Sequence, residues 1–352
     1  DFHIGYDPID SRGIKLVNIR KEFNNVSQQY FFRVKNIYIF KKHLVYQFFV
    51  IPKVLFSKYS KVIFLGDSKV LSTWISLIIC KIRKKESILW THGIYGNESK
   101  IKLIIRKIFY GLASTLVVYE RKGKEGLINY GFDKNKIHVI FNSLNYKIQN
   151  QILNKLIAKS PKTEFFKENN LPYIISTGRL NKRKKIEQLI NIVCELNSRN
   201  SVCNLLIVGE GEQKTYLEKK AQKCNDQIYF FGSCYDEKIL GRLFYNASVS
   251  VIPGDIGLSA IHSLTYGTPV ITHNNFSIQG PEHEAIEQGL SGDFYEFDNY
   301  DDLKSKIKIW LEKKRDKKSD IVSCRKNVDK FYNPDYQVKV MKTIIDGAKP
   351  LI

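Results

Sequence analysis

The stretch Ser248–His273, SVSVIPGDIGLSAIHSLTYGTPVITH, contains the pattern strand, turn, helix and strand. A β-branched apolar run ends at Gly254, and a further glycine follows at Gly257. Apolar residues then recur at helical spacing until Gly267, where another β-branched run begins. This order is typical of a right-handed βαβ unit with a very short helix. Because Gly257 has no side chain, the first N–H groups of the helix are open to a ligand, and such a helix end favours phosphate.

The same alternation of strands and helices extends over most of the chain. Strand candidates run from Lys61–Leu65 to 138–141, and the alternation restarts at Tyr173–Thr177 after the polar, lysine-rich stretch 146–170. Strands that alternate with helices across short turns predict a parallel, doubly wound α/β sheet in each half. We therefore predict two domains with a boundary between residues 168 and 169, followed by a last segment at 331–352.

The pattern also predicts local elements near both ends of the chain. FHIGY and GIKLVNI predict strands close to the N-terminus, and the apolar residues Tyr46–Phe56 predict a helix. Pro281–Gln288 predicts a helix with proline in its first turn. A final helix is predicted near Pro334–Ile345.

The composition is that of a globular protein with a large positive charge. The chain has 352 residues and a formal net charge of +21, from 56 Lys and Arg against 35 Asp and Glu. No run of about 18 uncharged apolar residues occurs, so we predict no membrane-spanning helix. The charge favours a polyanionic partner, which is nucleic acid, an anionic membrane face or a phosphorylated substrate. No RNP, helix-turn-helix or zinc-finger pattern is present, so a nucleic-acid partner is not expected.

The cysteines indicate the cellular compartment of the protein, and the first residue indicates where the natural N-terminus lies. The six cysteines form no CxxC pair and have no histidine at ligand spacing. We therefore expect reduced thiols of a cytoplasmic protein, not a zinc site or a disulfide framework. The chain begins with Asp1 and its only methionine is Met341, so we expect that the natural N-terminus precedes Asp1.

Cations and glycine turns follow successive strands of the C-terminal half. Arg179 follows the first of these strands, and Lys184 comes five residues later. Gly209 follows the next strand, and Phe231-Gly232 ends the one after it. Because parallel strands end at the same edge of a sheet, these turns open toward one crevice, where the two cations would hold a phosphate. A solvated run of charges is the alternative, since residues 182, 183 and 185 are also basic.

The C-terminal half resembles a known family, the large retaining glycosyltransferases of the GT-B fold, family four of the sequence classification. STGRL followed by Lys184, then LLIVGEGEQKTYLE, IYFFG, GLSAIHSLTYGTPVI and PEHEAIEQGLSG occur in the order and spacing of that family. The resemblance implies the GT-B fold, an α/β architecture of two Rossmann-like, doubly wound domains that face a cleft. Residues 1–168 would then form the acceptor-side domain, 169–330 the nucleotide-sugar-binding domain, and 331–352 a helix that returns to the first domain.

The resemblance also implies roles for individual residues. Arg179 and Lys184 would hold the diphosphate of the donor, and His92 of the THG sequence would face the donor phosphate and sugar. Asp255 would reach the sugar, and Asn142 falls where the family has an asparagine at the end of a strand. The donor-binding residues implied by the resemblance are Gly178, Gly209, Phe231, Gly232, Gly257, Leu258, His262, Glu282 and Glu284.

The chain departs from this family at two glutamates. The family usually has two Glu separated by seven residues across the glycine turn, and Gly254 and His262 hold those positions here. In the family the second Glu grips the donor ribose and the first the sugar hydroxyls. His262 can supply one hydrogen bond to a hydroxyl but not the two-point grip of a carboxylate. The nearby acids that remain are Asp255, Glu282 and Glu284.

The reaction implied by the resemblance is transfer of a sugar from a nucleotide-diphosphate donor with retention of configuration. The acceptor would be a glycan or a lipid-linked oligosaccharide of a bacterial surface polysaccharide. The sequence has no Asp-x-Asp metal-holding motif, so we expect Arg179 and Lys184 to neutralise the leaving diphosphate without a metal or any other cofactor. The expected location is cytoplasmic and peripheral to the inner face of the membrane. There the basic helix Lys100–Lys107 would meet anionic lipid, unless it is only a solvated face.

Two other functions stay open from the sequence. A protein that binds sugar nucleotides without transferring the sugar would keep the phosphate-binding cations and lose the acidic pair, as this chain has. A GT-B sugar-nucleotide epimerase is the nearest enzymatic alternative. Purified protein mixed with a donor would separate transfer or hydrolysis from binding alone.

Overall fold

The chain forms two compact α/β units. The computed structural model describes residues 2–5, 30–40, 44–96, 98–159, 166, 170–224, 226–314 and 316–352. The first unit comprises 1–139 together with 342–352, and the second comprises 140–341. The strand predicted at GIKLVNI and the boundary predicted between 168 and 169 lie outside the described residues.

The first unit is built around a four-stranded parallel sheet. Its strands, in spatial order, are β5 (Lys61–Leu65), β6 (Glu86–Thr91), β7 (Thr115–Val118) and β8 (Ile137–Val139). The helices that connect them are α2 (Leu71–Ile82), α3 (Lys100–Gly111) and α4 (Arg121–Asn129). They are preceded by parallel β1 (Phe2–Gly5) and β2 (Phe31–Val34), antiparallel β3 (Asn36–Ile39) and β4 (Leu44–Gln47), and α1 (Val50–Phe56).

The second unit contains a six-stranded parallel sheet. Its strands are β9 (Tyr173–Thr177), β10 (Asn204–Val208), β11 (Ile228–Gly232), β12 (Val249–Val251), β13 (Val270–His273) and β14 (Gly292–Tyr295). The helices from residue 140 onward are α5 (Tyr146–Lys159), α6 (Ile186–Leu196), α7 (Lys214–Ala221), α8 (Glu237–Asn246), α9 (Ser259–Thr265), α10 (Tyr300–Glu312), α11 (Lys317–Phe331) and α12 (Pro334–Ile345). The final residues, from Lys342, group with the first unit.

Both faces of the second sheet are buried, as a doubly wound sheet requires. Ile174 and Ile175 are adjacent in β9 and both have no exposed surface, yet they belong to different apolar clusters. Because successive side chains of a strand point to opposite faces, one cluster lies on each face of the sheet. The prediction of a doubly wound α/β fold is therefore confirmed for this unit.

The strand order in the second sheet reverses beside β9. The spatial order is β11-β10-β9-β12-β13-β14, so the chain builds outward from β9 in one direction and then in the other. Connections that leave β9 and β12 diverge to opposite faces of the sheet, which opens a crevice at the carboxyl ends of these two strands. Ligands of open α/β sheets bind at this reversal point.

Two local predictions differ from the structure. Tyr46–Phe56 is not one helix, because β4 extends to Gln47 and Phe49 adopts the left-handed conformation at φ 68° before α1 begins. Pro281–Gln288 forms only a 3-10 helix at Pro281–Ala285, since Ile286 returns to extended backbone.

The expectation of six reduced cysteines is wrong for one pair. Cys194 and Cys224 are joined by a disulfide, with Cα atoms 5.5 Å apart. They are 30 residues apart in the sequence, and α6 and the short turn at 222–224 bring them together. Cys80, Cys203, Cys234 and Cys324 form no disulfide among the described residues.

Candidate active site

Four loops meet at the carboxyl edge of the second sheet. The N–H of Gly178, after β9, donates to the carbonyl oxygen of Val208 at 3.0 Å. The N–H of Gly209, after β10, donates to the carbonyl oxygen of Gly232 at the end of β11 at 2.8 Å. The glycine turns that the sequence places after successive strands are therefore hydrogen-bonded neighbours at one edge of the sheet.

Glycine at position 254 allows the loop after β12 to contact the loop after β9. The N–H of Gly254 donates to the carbonyl oxygen of Lys184 at 3.0 Å. A Cβ atom at this position would lie 1.8 Å from the carbonyl oxygen of Arg183. The glutamate that the family usually has here would require these two loops to separate. Any side chain at position 254 is thus incompatible with the present contact between these loops.

Lys184 is held at the reversal of the strand order. Asn181 caps the 3-10 turn Lys182–Lys184, with its side-chain oxygen 3.2 Å from the Lys184 backbone nitrogen. The Nζ atom donates to the backbone oxygen of Asp255 at 2.5 Å and lies 3.9 Å from its Oδ1. Only 16% of the lysine side chain is exposed, and this burial lowers its pKa from the ordinary value, while the Asp255 carboxylate offsets part of the effect. An ammonium group is thereby fixed where β9 and β12 end.

The two arginines near Lys184 differ in whether they are already paired with an acid. Arg183 forms an ion pair with Oδ2 of Asp255 at 2.5 Å. Arg179 is exposed, and its side chain has no hydrogen bond or ion pair to any other residue that the structure describes. Asp255 therefore already faces two cations, whereas the guanidinium of Arg179 is available to an anionic ligand.

Glu282 is a buried carboxyl beside this cluster. Its side chain accepts a hydrogen bond from Nδ2 of Asn142 at 2.7 Å, and the residue is 3% exposed. Burial raises the pKa of Glu282, and the hydrogen bond from Asn142 and the positive charge of Lys184 oppose that rise. The structure thus brings Asn142, Glu282 and Lys184 into one electrostatic neighbourhood.

His262 contacts a carboxylate that sequence reasoning missed. Its Nε2 atom lies 3.1 Å from Oε2 of Glu237, and its ring stacks on Phe244. Glu237 also accepts from the Tyr266 hydroxyl at 2.8 Å and from Nε2 of Gln149 at 3.1 Å. Burial acts to raise the pKa of Glu237, but the bonds to His262, Tyr266 and Gln149 outweigh it and hold that pKa below its usual range. Glu237 and His262 lie on different helices, α8 and α9, so no local motif marks their contact.

The remaining predicted donor residues lie in the second unit and are less closely packed than Gly254 and Lys184. A Cβ atom at Gly257 would meet no atom within 4 Å, and Leu258 is 41% exposed. The short helix α9 begins at Ser259 and has seven residues. Phe231 and Glu284 are half-buried.

His92 belongs to the first unit, where it directly follows β6. Its Nδ1 atom lies 3.2 Å from the Tyr95 hydroxyl, and its ring centroid is 4.7 Å from that of Tyr119. Desolvation of the ring lowers the pKa of His92, and the positive charge of Arg106 lowers it further. The lowered pKa of His92 favours the neutral imidazole.

The sequence of the second unit decides what kind of protein this is. Residues 159–328 match the family model described as Glycosyl transferases group 1. The matched segment is similar to the glycosyltransferases of that group. The matched residues include the whole cluster from Arg179 to Glu282.

Solved structures extend the likeness to the fold of the whole chain. HepE of Anabaena, in complex with UDP, superposes with a TM-score of 0.65 at 15% identity, over 90% of this chain and 86% of that chain. The lipopolysaccharide outer core galactosyltransferase WaaB, in its apo form, has a TM-score of 0.60 at 14% identity, over 82% of this chain and 75% of that chain. The chain therefore has the GT-B fold, with two Rossmann-like domains.

Two curated relatives are similar in sequence. An uncharacterized 41.2 kDa protein in the cps region of Klebsiella pneumoniae is 26% identical over 274 residues, which is 71% of this chain and 72% of that protein. A GDP-mannose-dependent alpha-(1-6)-phosphatidylinositol dimannoside mannosyltransferase of Mycobacterium tuberculosis (strain ATCC 25177 / H37Ra) is 32% identical over 101 residues. That match covers 28% of this chain and 26% of the mannosyltransferase.

Proposed function

We propose that this glycosyltransferase moves a sugar from a nucleoside-diphosphate donor to a glycan or lipid-linked oligosaccharide, with retention of configuration and without a metal ion. The observation on which the proposal rests is the cation pair at the strand reversal. Lys184 is buried and fixed there, and Arg179 is exposed on the same loop. A diphosphate is the leaving group that such a pair stabilises best.

The two cations act on the charge that develops as the glycosidic bond to the diphosphate breaks. Charged donors that are already in place need no reorganisation during the reaction, so they stabilise the transition state more than solvent does. Lys184 is preorganised by Asn181 and by the backbone of Asp255. Because these charges are supplied by the chain and no Asp-x-Asp motif occurs, we propose a metal-independent reaction.

The sugar of the donor meets acids other than the usual glutamate. Position 254 is glycine, and its neighbour Asp255 has a buried Oδ1 atom without a hydrogen-bond partner among the described residues. A sugar hydroxyl that donates to this oxygen would satisfy it. Glu282 and neutral His92 are the further groups that we assign to the sugar and phosphate.

The ribose would be held by a histidine–carboxylate pair. Nε2 of His262 is engaged by Glu237, so its Nδ1 atom is left for one ribose hydroxyl. The Glu237 partner fixes the orientation of the ring, which partly replaces the grip of the missing second glutamate.

Relatives support a nucleotide sugar as donor but leave the base open. HepE was solved with UDP, whereas the mannosyltransferase is named for GDP-mannose. A thermal-shift panel of UDP, GDP, TDP and CDP sugars identifies the donor, because a ligand that binds only the folded state stabilises it. The relative in a cps region supports a surface polysaccharide as acceptor. We place the enzyme in the cytoplasm, at an anionic membrane face.

The deciding experiment compares Arg179→Ala and Lys184→Ala with Lys182→Ala. Lys182 is exposed on the same turn, and no ion pair to it occurs within the described residues, which makes it a matched control. A charge-assisted bond contributes roughly 1.5–3 kcal/mol, so each site variant should lose about 10- to 100-fold in kcat/KM. The double variant should be nearly inactive. The rate of transfer is measured from the nucleoside diphosphate that is released. Circular dichroism checks that each variant is folded.

Normal turnover of both single variants would show that the diphosphate is held elsewhere. Donor-dependent stabilisation without any release of nucleoside diphosphate would contradict transfer. An epimerised sugar nucleotide as product would point to the epimerase alternative.

A further inference from the structure

Helices α2 and α3 of the first unit expose a set of isoleucines at helical spacing. Those of α3 follow the positions i, i+3, i+4 and i+7, which form one stripe along a helix. Ile82 and Ile101 are the most exposed, at 75% and 73%. The isoleucine face comprises Ile75, Ile78, Ile82, Ile101, Ile104, Ile105 and Ile108.

The isoleucine face points away from the core against which the helices pack. Away from this stripe, Phe109 and Tyr110 of α3 are buried at 0% and 3% exposure. Arg106 is also turned inward, where it pairs with Glu98. The apolar core contacts of α3 are therefore already made, and the outer isoleucines are additional to them.

The two helices present one continuous surface. The ring of Trp74 in α2 packs against Phe109 in α3, with centroids 4.8 Å apart. Near their C-terminal ends, Nζ of Lys81 donates to the carbonyl oxygen of Gly111 at 3.3 Å. The isoleucines of both helices consequently lie on neighbouring ridges of the same surface.

Exposed cations border this surface, and no acid interrupts it. Residues 69–85 and 99–119 contain no Asp or Glu. At 100° per residue, Lys100 and Lys107 lie on one side of the α3 stripe and Lys102 on the other. The exposed cations of the two helices and the turn after α2 are Lys81, Arg83, Lys84, Lys100, Lys102 and Lys107.

We propose that the isoleucine face is a docking surface for an anionic lipid bilayer, which deepens the proposed function by naming the surface through which the enzyme reaches a lipid-linked acceptor. An apolar stripe flanked by lysines inserts its apolar side chains at the headgroup boundary while the cations meet lipid phosphates. A second copy of the chain fits this surface less well. A two-fold contact would place the same lysines against each other without any acid to pair with them.

The test is co-sedimentation with vesicles of phosphatidylcholine alone or mixed with phosphatidylglycerol. The variants are Ile104→Gln/Ile108→Gln and Lys100→Gln/Lys102→Gln/Lys107→Gln. The matched controls are Ile309→Gln and Lys308→Gln, which change an exposed isoleucine and an exposed lysine on α10 of the other unit.

The wild type should bind the anionic vesicles at least about tenfold more tightly than the neutral ones, and high salt should release it. Both surface variants should lose at least about tenfold in binding to anionic vesicles, and the controls should bind like the wild type. Equal binding by the isoleucine variant and the wild type would overturn the proposal. A dimer in light scattering that disappears in the isoleucine variant would overturn it too, because a second copy would then cover the face.

Donor binding separates this proposal from the proposed function. The surface variants should keep the donor-induced thermal shift in vesicle-free buffer, since the mutated residues lie outside the donor site. Arg179→Ala should lose donor affinity and still sediment with anionic vesicles. A negative result in vesicle binding therefore leaves the donor-binding result intact, and a negative result in donor binding leaves the vesicle result intact.

Discussion

Gly254 and Gly257 lie three residues apart, yet the space around them is very different. A Cβ atom at 254 would lie 1.8 Å from a backbone oxygen, whereas one at 257 would meet nothing within 4 Å. Backbone cannot yield as a flexible side chain does, so Gly254→Ala must push the loops after β9 and β12 apart. Sequence alone marks both as turn glycines and does not distinguish them.

Gly254→Ala should therefore lower the free energy of unfolding by about 1–3 kcal/mol, the usual cost of overpacking. Gly257→Ala should leave that free energy within about 0.5 kcal/mol of the wild type. It should nevertheless weaken donor binding, because the new methyl group occupies the space that we assign to the donor. Urea unfolding and donor titration measure the two effects. Equal stability of both variants would show that the loops can separate freely.

Glu282 makes the free energy of unfolding depend on pH, and the direction of this dependence follows from the burial of its carboxyl group. Burial raises the folded-state pKa of this carboxyl above the ordinary value that it regains on unfolding. Between those two values the unfolded chain binds fewer protons, so the contribution of Glu282 to stability is present at low pH and is lost as pH rises through the folded pKa. Glu282→Gln removes the titrating group and keeps an amide oxygen that can accept from Asn142.

The difference in unfolding free energy, wild type minus Glu282→Gln, should decrease as the pH rises above about 4, the ordinary pKa of a glutamate. Urea unfolding of both proteins across this range measures it. Glu312→Gln, at an exposed position of α10, serves as the control and should show no such trend. A difference that grows with pH would mean that Lys184 and Asn142 hold Glu282 as a carboxylate.

The sequence predicted the position of Arg179 and Lys184 in the fold better than it predicted their contacts. Arg179 and Lys184 lie in the loop after β9, so a strand prediction is enough to place them near the sheet edge. The Glu237–His262 contact instead depends on how α8 packs against α9. The ion pair of Arg183 with Asp255 depends on the close approach that Gly254 allows. Such contacts between distant segments have no local signal in a single sequence.

At the scale of elements, helix α8 supplies Glu237 from its first position, so the start of this helix must be well defined. Asp236 caps it, with Oδ1 accepting from the backbone nitrogens of Lys238 at 2.8 Å and Ile239 at 3.2 Å. A carboxylate also interacts favourably with the positive end of the helix dipole. The cap therefore stabilises the element that orients His262.

Asp236→Ala should reduce the free energy of unfolding by about 1 kcal/mol, the usual cost of a lost N-cap. Asp236→Asn keeps a capping oxygen and should lose clearly less. Thermal unfolding of the two variants and the wild type, monitored by circular dichroism, makes the comparison. If alanine and asparagine cost the same, the two hydrogen bonds of the cap contribute nothing and only the charge matters.

Strands β9 to β12 of the second sheet were predictable because each is a largely apolar run that leads into a glycine turn. The misplaced elements lack that pattern. Polar α11 (Lys317–Phe331) was not predicted, since few of its residues face the core. The 3-10 helix at Pro281–Ala285 begins with proline as an α-helix can, and tertiary contacts of its buried residues decide where it ends.

On the scale of the whole molecule, the second unit offers a donor two places to bind. One is the strand reversal with Arg179, Lys184 and Asp255. The other is a cavity of about 650 Å³ between the start of α6 and α7, whose lining includes Gln188 and Tyr216. Lys182 and Lys185 border the cavity. Because Lys185 already pairs with Asp298, exposed Lys182 is the cation left there for a diphosphate, whereas the strand reversal offers Arg179 and the buried Lys184.

Hydrogen exchange with and without the donor identified by the thermal-shift panel distinguishes these places. A ligand at 100 times its dissociation constant stabilises the folded state by about 2.7 kcal/mol, so nearby amides that exchange through local opening should slow by up to about 100-fold. We expect slower exchange in the loops 178–184, 209–211 and 253–258, and little change within α7. The Arg179→Ala variant at the same donor concentration should show much smaller protection in all three loops. Protection concentrated in α7 and the first turns of α6, with none after β12, would place the donor in the cavity and contradict the assignment to the strand reversal.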